Sequence, residues 1–460
     1  MRIPRVLLAA GASGSGKTLI TCGLLQVLVD RGLKTTSFKC GPDYIDPMFH
    51  SKVIGTKSAN LDTFFTDRDT TRYLLCQNAD KSDIAVMEGV MGYYDGVGGI
   101  TTKASAYDLA SQTDTPVILI VNVKGMSVSI AAYIEGFIKY RSDSNIKGVI
   151  FNQMSPMLYP RIKKLVESEC GIRVLGYVPK VEDCVIESRH LGLVLPDEIN
   201  GLKERLHRLA EILEKTLDVD GIINLANEAS SINGRYKEPE FKTDYRVRIG
   251  IADDEAFCFF YKDNFRMLQN MGAELVHFSP LRDKNLPDNL DGLLLYGGYP
   301  ELNGKALEDN ESMRCDIKKA LTNGMPFIAE CGGFMYLHES MEGMDGKFYK
   351  MVGAISGKVV CTSSLKRFGY ITLTQKNKIF NADNLGGIPA HEFHYFDSEN
   401  CGNDFCAQKP ESTRGWECIN ASDTLMAGFP HLYYYGNANV PEAFLRQCMK
   451  YHSNRECDLN

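Results

Sequence analysis

The sequence predicts an α/β protein of two domains, and three observations carry the prediction. An apolar run, Val6-Leu7-Leu8-Ala9-Ala10, leads into Gly11-Ala12-Ser13-Gly14-Ser15-Gly16-Lys17-Thr18 and then into a helical stretch from Leu19. Short apolar runs alternate with helical patterns up to about Leu225, and the same alternation restarts at Arg246. Between them, residues 226–244 lose apolar periodicity around Ser230-Ser231-Ile232-Asn233-Gly234-Arg235 and read as a linker. The expected domains are 1–225 and 245–460.

In the first domain the expected strands are 5–10, 35–39, 83–87, 116–121, 147–152 and 174–178. Strands separated by helices at this spacing predict a mostly parallel sheet covered on both faces. In the second, strands are expected from 246 and at 274–278, 292–295, 326–329 and 358–360.

A chain of 460 residues exceeds one ordinary core, which agrees with this division. With 44% hydrophobic and 24% charged residues the composition is that of a globular protein. The net charge of −7 argues against a general nucleic-acid binder but permits an anionic small substrate in a locally positive cleft. No apolar run approaches the roughly 20 residues of a membrane helix. Met1-Arg2-Ile3-Pro4-Arg5 leads straight into the first strand, so a cytoplasmic protein with no leader and no membrane contact is expected. The 14 cysteines are scattered without a Cys-x-x-Cys pair, which predicts reduced, mostly buried thiols.

Strand, glycine-rich loop, helix and a closing Gly-Lys-Thr are the parts of a phosphate-binding P-loop. Gly11, Gly14 and Gly16, with Ser13 and Ser15 between them, let backbone N–H groups turn inward around a polyphosphate. Lys17 would reach the outer phosphates and the Thr18 hydroxyl would ligate Mg²⁺, so ATP or GTP is the expected ligand. An ordinary glycine-rich turn does not explain Lys and Thr together at a helix start.

Carboxylates follow two neighbouring strands. In Lys39-Cys40-Gly41-Pro42-Asp43-Tyr44-Ile45-Asp46-Pro47, Lys39, Asp43 and Asp46 face either nucleotide or second substrate, or else serve turn chemistry. Glu88 closes a buried strand before Gly89-Val90-Met91-Gly92-Tyr93-Tyr94-Asp95, the way P-loop proteins bring a second oxygen ligand to Mg²⁺. Asp95 is a candidate contact for substrate or metal, and a solvated strand-end carboxylate is the plain alternative for Glu88. Partitioning ATPases share the architecture, but their extra lysine, five positions before the invariant one, is Ala12 here.

The second domain holds Ala329-Glu330-Cys331-Gly332-Gly333, a cysteine at a sharp strand-to-helix turn. A thiolate there would gain from the helix N-terminus, with the Gly332 backbone stabilising an oxyanion. Leu295-Tyr296-Gly297-Gly298 is a second strand-to-glycine turn, suited to supply a further donor at Gly298. The base a thiol needs would be His431. The competing reading makes Cys331 and His431 core residues. His391-Glu392-Phe393-His394 lacks the spacing of a zinc motif and a third clustered ligand, so no zinc is expected. Lys366-Arg367 reads as either a surface charge pair or an anion contact.

Together these stretches resemble the cobyrinic acid a,c-diamide synthase family, glutamine-dependent ATP ligases of cobalamin biosynthesis. The resemblance spans essentially the whole chain. It rests on the stretches 39–47, 88–92 and Ser188-Arg189-His190-Leu191-Gly192-Leu193, then on Ala256-Phe257 with Tyr261 and Asn264, on 330–333, and on 391–394. It implies a dethiobiotin-synthetase-like P-loop domain joined to a class I glutamine amidotransferase domain. Cys331 would attack the amide of L-glutamine with His431 as base, and the ammonia would pass to the first domain. There ATP, with Mg²⁺ on Thr18, Asp46 and Glu88, would phosphorylate a carboxylate of cobyrinic acid or a related tetrapyrrole, and ammonia would displace the phosphate.

Lys39, Asp43, Tyr44 and Asp95 would face the substrate, and Asn152 stands where related synthetases contact adenine. No nucleic-acid or membrane partner is implied, and a homodimer is a candidate state. The sister activity on nickel sirohydrochlorin, toward coenzyme F430, is the closest alternative, and a nucleotide-switch ATPase of the partitioning type a more distant one. One departure stands out: members often carry His-x-His near the C-terminus, and other amidotransferases a carboxylate two positions after the histidine. Here that position is Tyr433.

Overall fold

The computed structural model describes residues 1–181, 196–243 and 245–459, so the stretch 188–193 of the family resemblance and Asp244 lie outside the described residues. The chain forms two compact units, Met1–Tyr236 and Lys237–Asn460, dividing inside the linker stretch.

In the first unit β1 (Arg5–Ala10), β2 (Thr35–Cys40), β3 (Lys57–Leu61), β4 (Ile84–Glu88), β5 (Val117–Asn122), β6 (Ile146–Asn152) and β7 (Arg173–Val178) make one sheet in the order β3-β2-β4-β1-β5-β6-β7. Every pairing is parallel. β1, β2 and β4 bury all their residues, as strands covered on both faces must. The edge strand β3 was not expected: its sequence Lys-Ser-Ala-Asn-Leu has neither alternation nor β-branched residues.

Helices α1 (Lys17–Asp30), α2 (Ile45–Phe49), α3 (Arg68–Asn78), α4 (Ala106–Gln112), α5 (Ser129–Tyr140), α6 (Tyr159–Cys170), α7 (Pro196–Thr216) and α8 (Val219–Asn227) cover the sheet. Leu24 and Leu28 of α1 pack with Leu209 and Leu213 of α7, and with Val6 and Leu8 of β1, in one core. Each such leucine contributes roughly 1.5–3 kcal/mol by leaving water. The start of the linker belongs to this unit. Arg5, wholly buried, donates to Thr113 O (2.8 Å) and Ser230 O (2.9 Å), and the Met1 amine donates to Ile232 O (2.7 Å).

The second unit has a central sheet built from β8 (Val247–Ala252), β9 (Ala273–Phe278), β10 (Gly292–Leu295) and β11 (Phe327–Glu330). Helices α9 (Lys262–Asn270), α10 (Gly304–Asp309), α11 (Glu311–Thr322) and α12 (Gly332–Tyr336) belong to the same stretch of chain. After α12 the chain leaves this sheet. The strands β12 (His338–Glu342), β13 (Phe348–Lys350) and β14 (Ile355–Cys361) form a small sheet with β17 (Phe396–Ser398). A five-stranded antiparallel sheet takes β15 (Arg367–Gln375), β16 (Ile388–His394), β18 (Phe405–Gln408), β19 (Gly415–Cys418) and β22 (His431–Leu432).

The strand expected at 358–360 therefore belongs to β14 in the insertion, not to the α/β alternation. The chain returns through β20 (Asn420–Ala421) and β21 (Leu425–Gly428), completing the central order β20-β21-β11-β10-β8-β9, and ends in α13 (Asn439–Leu459). Among the described residues no helix is long and apolar enough to cross a membrane. The cysteines with described side chains are not joined in disulfides, and of them Cys22, Cys40, Cys331, Cys418 and Cys448 are buried, fewer than expected.

Candidate functional sites

In the first unit the loop after β1 turns into α1 at Gly16, whose φ of 92° favours glycine. A Cβ there would stand 2.2 Å from Asn152 Nδ2. Asn152, at the end of β6, donates that amide to Ser15 O (2.9 Å) and so clasps the loop from the far strands. Lys17 Nζ donates to Ala12 O (3.0 Å) and Met91 O (2.5 Å), lying across the loop, and burial lowers its pKa.

Beneath the loop, α1, β2, α2 and β4 each contribute one side chain to a cluster: Thr18, Lys39, Asp46 and Glu88. Thr18 Oγ1 donates to Glu88 Oε1 (2.6 Å). Lys39 Nζ donates to the same oxygen (2.8 Å) and to the Asp46 carboxylate. Lys39 and Glu88 are register partners on β2 and β4, which fixes this pairing in the sheet itself. Burial pushes Glu88 up to about 7, with Lys39 the strongest opposing pull.

The other Glu88 oxygen, Oε2, is buried without a hydrogen-bond partner and lies 3.7 Å from His50 Nε2. Burial lowers His50 to about 4, so it is neutral at pH 7. An oxygen-rich acidic set with one buried oxygen unused fits a hard divalent cation. Lys39, expected on the substrate, is part of this cluster.

The remaining expected contacts are occupied locally. Asp43 Oδ1 accepts from Ile45 N–H (2.9 Å) and Asp46 N–H (3.2 Å) at the start of α2, beside buried Tyr44. Asp95 Oδ2 accepts from Gly92 N–H (3.0 Å) and closes its own turn. Sequence reading missed His50 and Asn60. Asn60 Nδ2, from β3, holds the 41–43 loop through Gly41 O (3.0 Å) and Asp43 O (2.6 Å). Neither has a local signal, since each acts through a neighbouring strand or loop.

In the second unit Cys331 sits between β11 and α12 with φ 47° and ψ −104°, a strained conformation for a residue with a Cβ. Such strain costs about 1–3 kcal/mol and recurs at nucleophile turns. Its N–H donates to Gly428 O (2.8 Å) of β21. Burial pushes the thiol pKa well up, and Glu301 adds to it, the reverse of the helix-stabilised thiolate expected from sequence. The helix it opens has only five residues and offers little dipole against that desolvation.

The glycines around Cys331 permit close approach. A Cβ on Gly298 would stand 2.2 Å from Ala256 O, and one on Gly332 would stand 3.1 Å from Gly298 N. The two backbones expected to cradle an oxyanion thus lie against each other beside the thiol. Gly297 lies between Cys331 and His431: a Cβ there would be 2.6 Å from His431 Cε1 and 3.4 Å from Cys331 Cβ. The structure brings Cys331 and His431 to one point.

His431 arrives on β22, in register with His391 of β16, and the two rings stack with centroids 5.0 Å apart. Burial lowers His431 to about 3, so it is the neutral, proton-accepting form. Asn264 of α9 pins the chain just after the histidine, donating to Leu432 O (2.9 Å) and accepting from Tyr434 N–H (2.9 Å). Tyr433, two positions on, donates to Asp263 Oδ2 (2.7 Å).

Behind the histidine, Glu392 accepts from Trp416 Nε1 (3.3 Å) and pairs with His394 (3.2 Å). Among the described residues no group of three His, Cys, Asp or Glu is arranged to hold a metal by itself. Arg367, of the pair read as surface or anion contact, lies 3.6 Å from Asp397.

Comparison with known proteins bears on both units. A family model described as a CobQ/CobB/MinD/ParA nucleotide binding domain matches residues 6–193, and a CobB/CobQ-like glutamine amidotransferase domain matches 248–437. A cobyrinate a,c-diamide synthase of Caldanaerobacter subterraneus subsp. tengcongensis is 37% identical, covering 97% of this chain and 99% of its own. Proteins of the same name from Thermoplasma volcanium (37%, covering 99% and 100%) and Clostridium acetobutylicum (37%, covering 96% and 99%) are equally similar.

Proposed function

The chain belongs to the cobyrinate a,c-diamide synthase family, and from that premise we propose that its two sites serve one ligation: ATP- and glutamine-dependent amidation of the a and c carboxylates of cobyrinic acid. The observation that carries the reading is the pairing, in one chain, of a phosphate loop over the Thr18–Glu88–Lys39–Asp46 cluster with Cys331 and His431 converging on Gly297.

At the second site His431 takes the Cys331 thiol proton, and the sulfur attacks the side-chain amide carbon of glutamine. The oxyanion lies against the Gly298 and Gly332 backbones. The imidazolium returns its proton to the leaving nitrogen, ammonia departs, and water cleaves the thioester to glutamate.

At the first site a substrate carboxylate oxygen attacks the γ-phosphorus of ATP and ADP leaves. Ammonia then attacks the acyl phosphate carbon and releases phosphate. The carboxylate oxygen is a poor leaving group until this phosphorylation. Phosphoryl transfer needs mainly positioning and charge neutralisation, the work of the loop backbone and Lys17. Thr18, Glu88 and Asp46 would hold Mg²⁺, which when bound supplies further neutralisation of phosphate charge. In that role Asp46 and Glu88 would share their oxygens with Lys39, from which both now accept.

The test is mass spectrometry after incubation with ATP, Mg²⁺ and glutamine, offering cobyrinic acid and nickel sirohydrochlorin together. Conversion of cobyrinic acid to its diamide supports the reading. Preferential conversion of the nickel compound keeps the mechanism and changes the substrate, and no reaction with either, using glutamine or ammonium, overturns it.

A further inference from the structure

We propose that Glu330 is the positioning carboxylate of the glutamine site, holding His431 in the tautomer and orientation that face Cys331 and stabilising the imidazolium formed during attack. This rests on the reading of Cys331 and His431 as nucleophile and base.

Glu330 is the last residue of β11, immediately before the nucleophile, so the strand that places Cys331 places this carboxylate as well. Its side chain is almost wholly buried, as is that of His431. Oε2 lies 3.7 Å from His431 Nδ1 and accepts from Leu432 N–H (3.3 Å). That contact ties it to the backbone immediately after the histidine. Oε1 is buried with no hydrogen-bond partner.

Among the described residues the ion-pairing group within 4 Å of Glu330 is His431. The other titratable groups facing it are the Cys331 thiol and the Tyr296 and Tyr434 hydroxyls, which lie 3.4 Å apart. None brings a positive charge. A buried carboxyl in this setting is costly unless it shares a proton, and the Nδ1 side of His431 is where a proton can be shared.

That arrangement selects the useful tautomer. With hydrogen on Nδ1 toward Glu330, Nε2 keeps its lone pair, and Cε1 between the two nitrogens borders Gly297 and Cys331. The remaining groups around His431 do not replace Glu330. His391, stacked on its ring, is held neutral by burial, and Glu392 is engaged by Trp416 and His394. Tyr433, two positions on, is committed to Asp263.

Glu330→Gln is nearly isosteric and keeps an oxygen for Leu432 N–H while removing the charge. The expected result is a glutamine-supported turnover lower by on the order of 10²-fold with KM for glutamine unchanged and ammonium-supported amidation intact. Alkylation of Cys331 by iodoacetamide, followed by mass spectrometry, should slow at neutral pH, with its midpoint moved to higher pH. Glu330→Asp should recover part of both. Unchanged glutamine turnover, an unmoved alkylation profile, or equal loss with both nitrogen sources overturns the proposal. A wild-type protein that releases no glutamate from glutamine would instead sink the underlying reading of Cys331.

Discussion

At the end of β1 the chain turns at Gly16 into a fourteen-residue helix and gathers buried charge around the turn: Lys17, Lys39, Asp46 and Glu88. At the end of β11 it turns at Cys331 into a five-residue helix and keeps the reacting groups neutral, with burial holding the thiol protonated and His431 unprotonated. The same strand–turn–helix device thus supports opposite electrostatics. A transferred phosphoryl group arrives with charge that must be cancelled, and around the first turn Lys39 is paired with Asp46 and Glu88 while Lys17 rests on the carbonyls of Ala12 and Met91. On the proposed reading glutamine arrives neutral, so the second turn would store a proton on sulfur with a base beside it, and charge would appear only during attack.

The contrast can be broken first at the charged turn. Lys17→Ala should lower amidation with either nitrogen source by on the order of 10³-fold or more, because both routes need the phosphorylated substrate. Retention of ammonium-dependent synthesis would show that Lys17 does not serve the phosphates. Cys331→Ala should remove glutamine-supported amidation and spare the ammonium-supported reaction. Parallel loss in that assay would make Cys331 a fold residue.

A subtler probe is Gly297→Ala, whose new Cβ would press on His431 Cε1 at 2.6 Å. Displacing a base by a fraction of an ångström to an ångström should cost up to about 10²-fold in glutamine turnover and nothing with ammonium. An unaffected glutaminase rate would mean that the two side chains do not meet over Gly297.

The smallest expected effect is on stability. His338, His391 and His431, all in the second unit, are held below their ordinary pKa of 6.5 by burial, and His431 lies at about 3. A histidine kept neutral in the fold contributes stability that is present above about pH 6.5 and is lost as pH falls toward its folded value. Each costs at most about 1.4 kcal/mol per pH unit over that window. The first unit has His50 in the same condition. Hydrogen exchange of the full chain between pH 6.5 and 4.5 should therefore show protection falling faster in the second unit, and equal slopes would refute it.

How much of this could be read from the sequence obeys the same division. The phosphate loop is contiguous, so Gly11 to Thr18 announce themselves, and the strand ends at Lys39, Glu88 and Asn152 emerge from the alternation. That Lys39 pairs with Glu88, or that Asn152 spends its amide on Ser15 O, depends on strand order β2-β4-β1-β5-β6, which no local pattern encodes. The glutamine site is dispersed. Cys331 is visible at its elbow, but His431 stands on a two-residue strand whose position comes from pairing with β16. Of the insertion from β12 to β19 only residues 358–360, inside β14, are legible, and there as part of the α/β alternation; β15 is only partly buried, and its antiparallel partners are set by pairing and not by local pattern. Glu330 adjoins Cys331 in sequence, yet the histidine beside it, His431, comes from the far end of the second unit.

The buried thiol of Cys331 also has a consequence for survival under oxidants. Peroxide converts cysteine to sulfenic acid through the thiolate, and access and ionisation together set which thiols react. Cys315 and Cys361 are exposed, whereas Cys331 is enclosed and held as the neutral thiol. Among the described thiols, an oxidising excursion therefore marks those two exposed positions before Cys331. On the proposed reading, the interval in which His431 draws the Cys331 proton away is also the one in which glutamine would cover the sulfur.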